Sequence, residues 1–415
     1  MDSNEYLITS SQSSQQCSAC LWDYNTLNAQ KFYRNGGTVS SKCLEFLGQD
    51  YLLTSEAGKP LLHVWPLNNQ NVAKNIRLIL PEPANCLAVC PHNIYLAVGI
   101  NCKIYLWHLS SGKLITLQQK NYQPVTCIKF SSDGDFLLVA GQDGILIAYN
   151  LSDLTATSNN FLSQFDIGQV EPVYVKNDHS MPIRDIHVGH FGRKSRFATV
   201  SSDQTCRIYS LLTGRSLLTL VFDDLLTSVV FDSPCWQLFV GTEKGSIRQF
   251  NLKNPPKTIS HHVDEKSELT FIGHKKRIVC LALNNSNNVL VSGSEDHFVI
   301  TWELKSRQIL KKIEHKAPIT NVKFVLAYKN FSVENFKPKI ILKSLERSRD
   351  TNTDFVISQI QTEDIELSDE ETSLSNEKIR SDLMRDNQKL RIVNRQLYNA
   401  AIMISKKNSS SNIED

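Results

Sequence analysis

Residues 125–150 read VTCIKFSSDGDFLLVAGQDGILIAYN. The first six residues alternate apolar and polar side chains, as a half-buried strand does. A turn containing Gly134 follows, and residues 136–140 then form a continuous apolar run that fits a strand buried on both faces. Gly144 marks a second turn before the run that ends at Tyr149 and Asn150. This stretch therefore predicts three short strands joined by tight turns.

Seven strands that end in an aromatic residue recur along the chain at nearly constant spacing. The steps between successive aromatic residues are 43, 42, 42, 60, 41 and 52 residues. A period of about 40–45 residues, with four short strands and a terminal aromatic, is typical of the blades of a WD-repeat β-propeller. The sequence therefore predicts an all-β fold, a seven-bladed propeller over residues 1–328, which usually serves as a platform for partners. The seven aromatic residues are Trp22, Trp65, Trp107, Tyr149, Tyr209, Phe250 and Trp302.

The first repeat begins in the middle of a blade. Residues 5–9 fit a second strand and residues 18–24 a third, and no first strand precedes them. The missing pattern occurs at residues 319–325, at the other end of the repeats. We expect this strand to close the ring against the N-terminal strands, because closure removes exposed strand edges.

Two intervals between blades are longer than the others. Residues 151–180 follow Tyr149, and residues 255–266 follow Phe250. Insertions within a repeat lie in loops or outer strands at the rim or on the faces of the disc. Both are candidates for partner contacts, and tolerated surface loops explain them equally well.

The composition argues against several classes of protein. The chain has 45 basic and 42 acidic residues and a net charge of +3, which is not the strongly basic balance of an autonomous nucleic-acid-binding domain. The question of a local basic patch that binds nucleic acid stays open. Residues 1–16 lack the apolar segment of a secretory signal, and no apolar run approaches the roughly 18 residues that span a bilayer. We therefore expect no membrane association.

Neither a metal site nor a catalytic site is evident from the sequence motifs. The ten cysteines mostly fit free, buried, reduced thiols. Cys17 and Cys20 have the spacing of metal ligands, but no second pair or histidine cluster follows them. His261 and His262 are a second weak candidate, for which a surface loop is the simpler explanation. Because phosphate-binding loops, dinucleotide fingerprints and kinase motifs are also missing, the sequence predicts no cofactor and no enzyme activity.

The last complete blade contains a set of four polar and aromatic side chains. A blade can connect such a set through buried hydrogen bonds, so that each donor finds an acceptor and the turns are locked to the strands. A histidine, a serine and an aspartate could also suggest a hydrolase triad, but no nucleophile elbow or oxyanion-hole motif accompanies them. The sequence therefore predicts a structural tetrad, consisting of His274, Ser292, Asp296 and Trp302.

Other blades keep parts of this tetrad. Asp203 and Tyr209 retain the turn acid and the aromatic residue, as do Asp143 and Tyr149. His179 is a candidate for the histidine of the Asp203 repeat. The remaining blades lack the set, so we expect apolar packing to stabilise them.

Two short basic clusters occur at residues 193–196 (RKSR) and 275–277 (KKR). Such clusters are candidates for contacts with RNA phosphates or for nuclear import. Solvated charge on surface loops is the alternative.

Beyond Tyr328 the strand pattern fades. Residues 329–375 are polar and read as a linker, with one further strand suggested at residues 340–345. Ser368 precedes three acidic residues and is a candidate for an acidophilic kinase, although a solvated linker is the simpler interpretation. Residues 407–415 are expected to be a disordered tail.

Residues 376–406 have leucine or isoleucine at every seventh position and contain neither Gly nor Pro. About four heptads are the minimum for a coiled coil, so this pattern predicts an α-helix with a dimerisation seam. Asparagines at the second seam position can pair across a parallel two-stranded coil, which predicts a homodimer. A single helix that docks on the propeller or on another subunit is the alternative. The seam residues are Leu383, Asn387, Leu390, Asn394, Leu397 and Ile404.

Several stretches of the chain resemble one protein family. Residues 121–130 (NYQPVTCIKF), 196–205 (RFATVSSDQT), 245–247 (GSI) and 390–398 (LRIVNRQLY) are similar to the WD-repeat subunit of the rixosome. That complex matures the precursor of the large ribosomal subunit in the nucleolus and nucleoplasm. The resemblance covers nearly the whole chain, and the combination of a propeller with this heptad tail is far more specific than the blades alone.

The resemblance implies a non-enzymatic scaffold in the nucleus. In such complexes the propeller subunit binds a large helical-repeat scaffold subunit and helps to recruit the midasin AAA ATPase to the large ribosomal subunit precursor. An endonuclease and a polynucleotide kinase act with the assembly to remove internal transcribed spacer RNA. No catalytic residue is carried over to this chain, and direct contact with RNA stays open.

Two other functions compete with the scaffold. A WD-repeat substrate receptor of a cullin-RING ubiquitin ligase often carries Trp-Asp-x-Arg at a strand end, and the arginine is missing after both Trp22 and Trp302. An enzyme that uses the central channel would need titratable residues that converge at the starts of the inner strands, and the sequence shows no such cluster. Since a fold alone does not give a function, the choice rests on the resemblance.

Overall fold

The repeats form seven β-sheets that are arranged as the blades of a closed β-propeller, which confirms the predicted fold. The computed structural model describes residues 5–13, 17–26, 28–156, 170–263, 269–333 and 336–347. Residues 348–415, which include the predicted heptad helix, lie outside the described residues. The short strands follow the alternating and apolar runs of the sequence, and tight turns separate them.

The N-terminal strands and the first three complete blades follow one another along the chain. The N-terminal strands are β1 (Glu5–Ser11), β2 (Ala19–Asp23) and β3 (Ala29–Tyr33). Blade 1 consists of β4 (Val39–Leu47), β5 (Tyr51–Glu56), β6 (Leu61–Pro66) and β7 (Leu78–Ile79). Blade 2 consists of β8 (Cys86–Val89), β9 (Tyr95–Ile100), β10 (Lys103–His108) and β11 (Leu114–Gln118). Blade 3 consists of β12 (Val125–Phe130), β13 (Phe136–Gly141), β14 (Leu146–Asn150) and β15 (Tyr174–Lys176).

The remaining blades complete the ring. Blade 4 contains β16 (Ile183–Val188), β17 (Arg196–Ser201), β18 (Thr205–Ser210) and β19 (Ser216–Val221). Blade 5 contains β20 (Leu226–Phe231), β21 (Gln237–Thr242), β22 (Ser246–Asn251) and, after the inserted strand β23 (Ser260–His262), β24 (Leu269–Ile272). Blade 6 contains β25 (Ile278–Leu283), β26 (Val289–Ser294), β27 (Phe298–Glu303) and β28 (Ile309–Glu314). The last strand is β29 (Ile319–Leu326).

Blade 7 joins the two ends of the propeller. Strand β29 pairs antiparallel with β1, with Phe324 opposite Leu7 and Val322 opposite Thr9. The C-terminal strand therefore supplies the innermost strand of this blade, and the N-terminal strands supply the other three. The predicted closure of the ring is confirmed, and it pairs strand edges that would otherwise be open.

The core of the described chain consists of hydrophobic clusters between neighbouring blades. Trp65, Trp107 and Trp302 are the largest fully buried side chains, with at most 1% of their surface exposed. Because each cluster takes side chains from two blades, apolar packing fastens each blade to the next around the ring.

The two insertions contribute structure to the rim of the propeller. The first begins with α1 (Leu151–Ala156), whose Leu154 is buried between blades 2 and 3. The second contains β23, which pairs in parallel with β19. An insertion of blade 5 therefore adds a fifth strand to blade 4. Among the described helices, none has the length and apolar character needed to cross a bilayer.

The chain after blade 7 stays in contact with the propeller. A 3-10 helix spans Lys329–Phe331, and the Phe331 side chain is buried in the cluster between blades 7 and 1. Asp50 then accepts hydrogen bonds from the backbone N–H groups of Lys339 at 2.6 Å and Ile340 at 2.8 Å. These contacts hold the first part of the segment that the sequence assigned to a linker.

The same segment continues onto blade 2. Leu345 is 7% exposed and belongs to the cluster between blades 1 and 2. The Glu346 backbone N–H donates to Gly112 O at 2.9 Å, and its carboxylate accepts from Leu114 N at 3.0 Å. Residues 340–345 form no strand, so the strand suggested there by the sequence was wrong. Ile340, Leu342 and Leu345 nevertheless pack against the propeller.

Candidate functional site

The four side chains of the predicted tetrad in blade 6 lie in one buried chain of hydrogen bonds. His274 comes from the loop before β25, Ser292 from β26, Asp296 from the turn after β26, and Trp302 from β27. The Trp302 indole N–H donates to Ser292 Oγ at 2.8 Å. Ser292 Oγ lies 2.7 Å from His274 Nε2, and His274 Nδ1 lies 3.0 Å from Asp296 Oδ2. Four elements of one blade are thus connected through side chains.

The chemistry of the groups fixes the direction of these hydrogen bonds. A carboxylate only accepts, so His274 Nδ1–H donates to Asp296, and Nε2 of the neutral ring accepts from the Ser292 hydroxyl. Burial lowers the pKa of His274 below its ordinary value, which keeps the ring neutral. Burial acts to raise the pKa of Asp296, but hydrogen bonds from Lys275 N and from His274 outweigh it and lower this pKa.

The geometry of this tetrad favours a structural role. Ser292 is 0% exposed, and its proton is already held by the histidine ring, so the hydroxyl is not presented to a substrate. Asp296 also accepts from the backbone N–H groups of Lys275 at 2.9 Å and Phe298 at 3.1 Å. Those bonds tie the loop before the blade to the turn between its second and third strands.

Blade 4 contains a related set around His179. Its Nδ1 lies 2.8 Å from Asp203 Oδ2, and its Nε2 lies 2.8 Å from Thr199 Oγ1. Tyr209 replaces the tryptophan, and its hydroxyl donates to Asp178 Oδ2 at 3.0 Å. Burial acts to raise the pKa of Asp203, but the hydrogen bond from His179 helps to hold this pKa well below its ordinary value.

Two hydroxyl residues that complete such sets were missed by the sequence analysis. Thr199 in blade 4 and Thr9 in blade 7 occupy the position of the second strand that Ser292 holds in blade 6. The Trp22 indole N–H donates to Thr9 Oγ1 at 2.8 Å, and His315 Nε2 lies 3.3 Å from the same oxygen. Aligning the second strands relative to the aromatic residue of each blade would have found both threonines.

In blades 1 and 2 the tryptophan indole N–H groups donate to backbone oxygens from other parts of the chain. The Trp65 indole N–H donates to Arg34 O at 2.9 Å. The Trp107 indole N–H donates to Glu346 O at 2.7 Å. The second of these acceptors belongs to the segment that follows the propeller.

In blade 3 the two residues named from the sequence are not joined to each other. Asp143 accepts from the backbone N–H groups of Tyr122 and Ile145, both at 3.1 Å. The Tyr149 hydroxyl is buried and has no hydrogen-bond partner within the described residues. Asp143 therefore ties the loop before the blade to its own turn, and it is not linked to Tyr149.

A cavity of about 860 Å³ opens where the innermost strands begin, at one end of the central channel. Lys42, Arg184 and Arg277 line it, and its described lining includes no carboxylate and no histidine. Further along the channel, Glu45 forms ion pairs with Lys129 at 3.8 Å and with Lys323. Lys42 at the mouth in turn pairs with Asp185 at 3.7 Å, so both Glu45 and Asp185 are engaged by lysine side chains.

The cysteine pair and the histidine pair considered as metal ligands belong to different blades. Cys17 and Cys20 are joined by a disulfide, and the other eight cysteines are free. His261 and His262 lie on β23, where His262 Nε2 is 3.3 Å from Asp223 Oδ1. Within the described ranges, no group of three His, Cys, Asp or Glu side chains could hold a metal ion.

The two basic clusters lie on opposite faces of the propeller. Residues 275–277 precede β25 at the channel mouth, whereas residues 193–196 connect β16 to β17 at the far end of an innermost strand.

The dimerisation seam and Ser368 lie outside the described residues, so the structure does not describe them. The seam residues concerned are Leu383, Asn387, Leu390, Asn394, Leu397 and Ile404.

Together, the seven blades and their buried sets define a WD-repeat β-propeller. A family model described as WD domain, G-beta repeat, matches residues 112–150 and 265–303. The chain is 32% identical over 341 residues to WD repeat-containing protein 18 of Mus musculus, in an alignment that covers 81% of this chain and 77% of the relative. The chain belongs to the family of WD repeat-containing protein 18.

Two further relatives carry names that state a process. The chain is 27% identical over 345 residues to pre-rRNA-processing protein IPI3 of Yarrowia lipolytica, with 78% of each chain covered. It is 25% identical over 331 residues to pre-rRNA-processing protein pro-1 of Caenorhabditis briggsae, with 77% of this chain and 60% of the relative covered. These findings confirm the resemblance to the WD-repeat subunit of the rixosome.

Proposed function

We propose that this chain is a non-enzymatic scaffold subunit of a nuclear ribosome-biogenesis complex. It acts in maturation of the large ribosomal subunit precursor and in processing of internal transcribed spacer rRNA. Membership in the family of WD repeat-containing protein 18, together with relatives named for pre-rRNA processing, carries this proposal.

The geometry of the propeller supports a scaffold. The ring is closed by strands from both ends of the repeats, and buried polar sets lock the turns of blades 4 and 6. The histidines and carboxylates of these sets are buried among their own partners, which leaves the faces and the rim of the disc for binding. The relatives' names favour this role over a receptor of a cullin-RING ubiquitin ligase.

The partners of the scaffold belong to the same proposal. They are a helical-repeat scaffold subunit, the midasin AAA ATPase and the large ribosomal subunit precursor, and the site of action is the nucleolus and nucleoplasm. Homodimerisation through the heptad seam remains a prediction from the sequence. Replacing Leu390 and Leu397 with Asp should convert dimers to monomers in light scattering and leave the unfolding of the propeller unchanged.

Depletion followed by rescue tests the proposed function. Loss of the protein should cause precursors that retain the internal transcribed spacer to accumulate, and the wild-type chain should restore their processing. Affinity purification of the tagged chain should recover large-subunit assembly factors and precursor RNA. Normal precursor profiles after efficient depletion, or recovery of a ligase adaptor in place of assembly factors, would contradict the proposal.

A further inference from the structure

Two large aromatic side chains are exposed on the face of the propeller that lies away from the channel mouth. Phe191 is 58% exposed in the loop between β16 and β17, and Trp236 is 54% exposed in the loop between β20 and β21. Both loops connect the first strand of a blade to the second, so both lie at the same end of the innermost strands. Exposed aromatic rings of this size are costly to leave in water and often mark binding surfaces.

The two loops are direct neighbours. A Cβ placed on Gly189 would lie 2.5 Å from Cys235 Sγ, so the backbone of the first loop runs against the residue that precedes Trp236. The backbone N–H of Gly192 donates to Ser132 Oγ at 3.0 Å, which ties the first loop to blade 3 as well. The aromatic residues are therefore presented on loops that are held by neighbouring blades.

Basic side chains surround these rings. Arg193, Lys194 and Arg196 are exposed in the first loop and at the start of β17, and Lys253 is exposed beside the second. The Lys253 ammonium lies 5.2 Å from the centroid of the Trp236 ring, within the range of a cation–π contact. Arg193 forms an exposed ion pair with Asp135, while the three other cations have no ion pair within the described residues. Three carboxylates, Asp133, Asp135 and the buried Asp232, lie at the same loops, so the four cations give this surface a small excess of positive charge.

Exposed aromatic rings flanked by exposed cations match the chemistry of single-stranded nucleic acid. Bases stack on aromatic side chains regardless of sequence, and phosphates pair with lysine and arginine. An acidic protein segment would pair with the cations, whereas every nucleotide brings both a base that can stack on a ring and a phosphate that can pair with a cation. Because the rings and the cations occur together, the observations favour the nucleic acid.

We propose that this aromatic–basic surface, formed by Phe191, Arg193, Lys194, Arg196, Trp236 and Lys253, binds single-stranded RNA. The inference rests on the proposed function for the choice of RNA over DNA, and it deepens that function by giving the scaffold a direct contact with precursor RNA. In this arrangement Phe191 and Trp236 stack on bases, and the basic residues neutralise the adjoining phosphates.

Binding of a fluorescein-labelled oligouridylate by the full-length protein tests the surface, with fluorescence anisotropy measured over a series of salt concentrations. The Trp236→Ala variant should bind about 5- to 150-fold more weakly with an unchanged salt dependence, because stacking on one base contributes about 1–3 kcal/mol. The double variant Lys194→Gln/Arg196→Gln should reduce the slope of log affinity against log salt by about 1.4, since each phosphate contact contributes about 0.7 on single strands.

Matched controls lie on the opposite face. Tyr122 is 87% exposed in the loop before β12, and Lys275 and Lys276 are exposed before β25. The variants Tyr122→Ala and Lys275→Gln/Lys276→Gln should leave RNA affinity unchanged. Thermal unfolding of every variant should match the wild type, because the substituted side chains are exposed.

Three outcomes would overturn the inference. They are absence of RNA binding by the wild-type chain, equal affinity of the wild type and the surface variants, and weakened binding of a polyglutamate peptide by variants that still bind RNA normally. The last outcome would assign the surface to an acidic protein. If depletion impairs precursor processing while the surface variants bind RNA normally, the proposed function stands and this inference fails. If the surface binds RNA but depletion leaves processing normal, the inference stands and the proposed function fails.

Discussion

Blades 6 and 2 both bury a tryptophan at the end of the third strand, but they satisfy its indole N–H in different ways. In blade 6 the acceptor is Ser292 of the same blade, 2.8 Å away. In blade 2 the equivalent position of the second strand is Val98, which has no hydrogen-bonding group, and the Trp107 indole N–H donates to Glu346 O at 2.7 Å. The acceptor of the tryptophan N–H therefore lies within the same blade in blade 6, and in a distant segment of the chain in blade 2.

This difference has a physical consequence for stability. A buried indole N–H without an acceptor costs about 1–3 kcal/mol, so a blade that lacks the serine must recruit another acceptor. The segment 336–347 provides it and also buries Leu345 between blades 1 and 2. Blades 1 and 2 should therefore depend on chain beyond the repeats, whereas blade 6 should depend on its own side chains.

The largest expected effect is produced by removing that segment. A chain that ends at Val333 loses the acceptor of Trp107, the two N–H groups bound by Asp50 and the burial of Leu345. We expect it to be about 3–5 kcal/mol less stable in chemical denaturation followed by tryptophan fluorescence. The matched control ends at Arg347 and keeps all these contacts. Equal unfolding midpoints for the two chains would show that blade 2 does not need the segment.

The next effect is expected in the tetrad of blade 6. Asp296→Ala should lower the free energy of unfolding by about 1–3 kcal/mol, because it leaves His274 Nδ1–H and two backbone N–H groups without their acceptor. The control Glu295→Ala changes the neighbouring, partly exposed carboxylate, whose long ion pair with Arg277 at 3.7 Å is screened by water, and should alter stability by less than about 0.5 kcal/mol. Unchanged thermal unfolding of Asp296→Ala would contradict the importance of the tetrad.

A third pair of variants compares the same strand position in two blades. Thr199→Val in blade 4 removes the hydroxyl beside His179 Nε2 and should cost about 1–2 kcal/mol. Thr54 occupies the equivalent position in blade 1, and its buried hydroxyl has no hydrogen-bond partner within the described residues. Thr54→Val should therefore be neutral or slightly stabilising. If both variants lose the same stability in urea denaturation, the loss comes from packing and the comparison between blades fails.

The smallest effect concerns blade 7, where the histidine set joins the two ends of the propeller. Burial lowers the pKa of His315 to about 4, whereas the unfolded chain has a histidine pKa of about 6.5. Its contribution to stability is complete above pH 6.5 and is lost as the pH falls from there towards 4, since the unfolded chain binds the proton first.

His315→Gln tests this pH dependence. Between pH 7 and 5.5 the wild type should lose about 1 kcal/mol more unfolding free energy than the variant, as measured by urea denaturation at each pH. The other buried histidines are common to both chains and cancel in the difference. Parallel curves of stability against pH would show that His315 is not held neutral in the folded blade.

Sequence reasoning recovered the blades and the tetrad of blade 6 because both are local patterns. The spacing of the aromatic residues and the turns between strands are repeated in each unit, so they can be read without knowledge of the neighbours. The roles of Thr199 and Thr9 were not predicted, because a threonine within a strand does not by itself indicate a hydrogen bond to a buried histidine or tryptophan. They become visible only when each second strand is aligned with the aromatic strand beside it.

Apart from the closure of the ring, contacts between distant segments were beyond the reach of the sequence. Nothing in residues 255–266 indicates that they add a strand to the edge of blade 4 and not to their own blade. Half of residues 336–347 are polar or charged. The burial of Leu345 and the contact of this segment with Trp107 depend on the groove that two folded blades create.

The sequence by itself determined the number of blades, the closure of the ring and the residues of one tetrad. Each of these follows from short-range periodicity, in which the side-chain pattern of a strand dictates which face is buried. Only the tertiary structure decided which acceptor the Trp107 indole N–H reaches and which blade β23 joins. It also decided that Phe191 and Trp236 lie on neighbouring loops. These features arise where separate parts of the chain meet, and the free energy of such contacts depends on shapes and unpaired groups that exist only after the blades have folded.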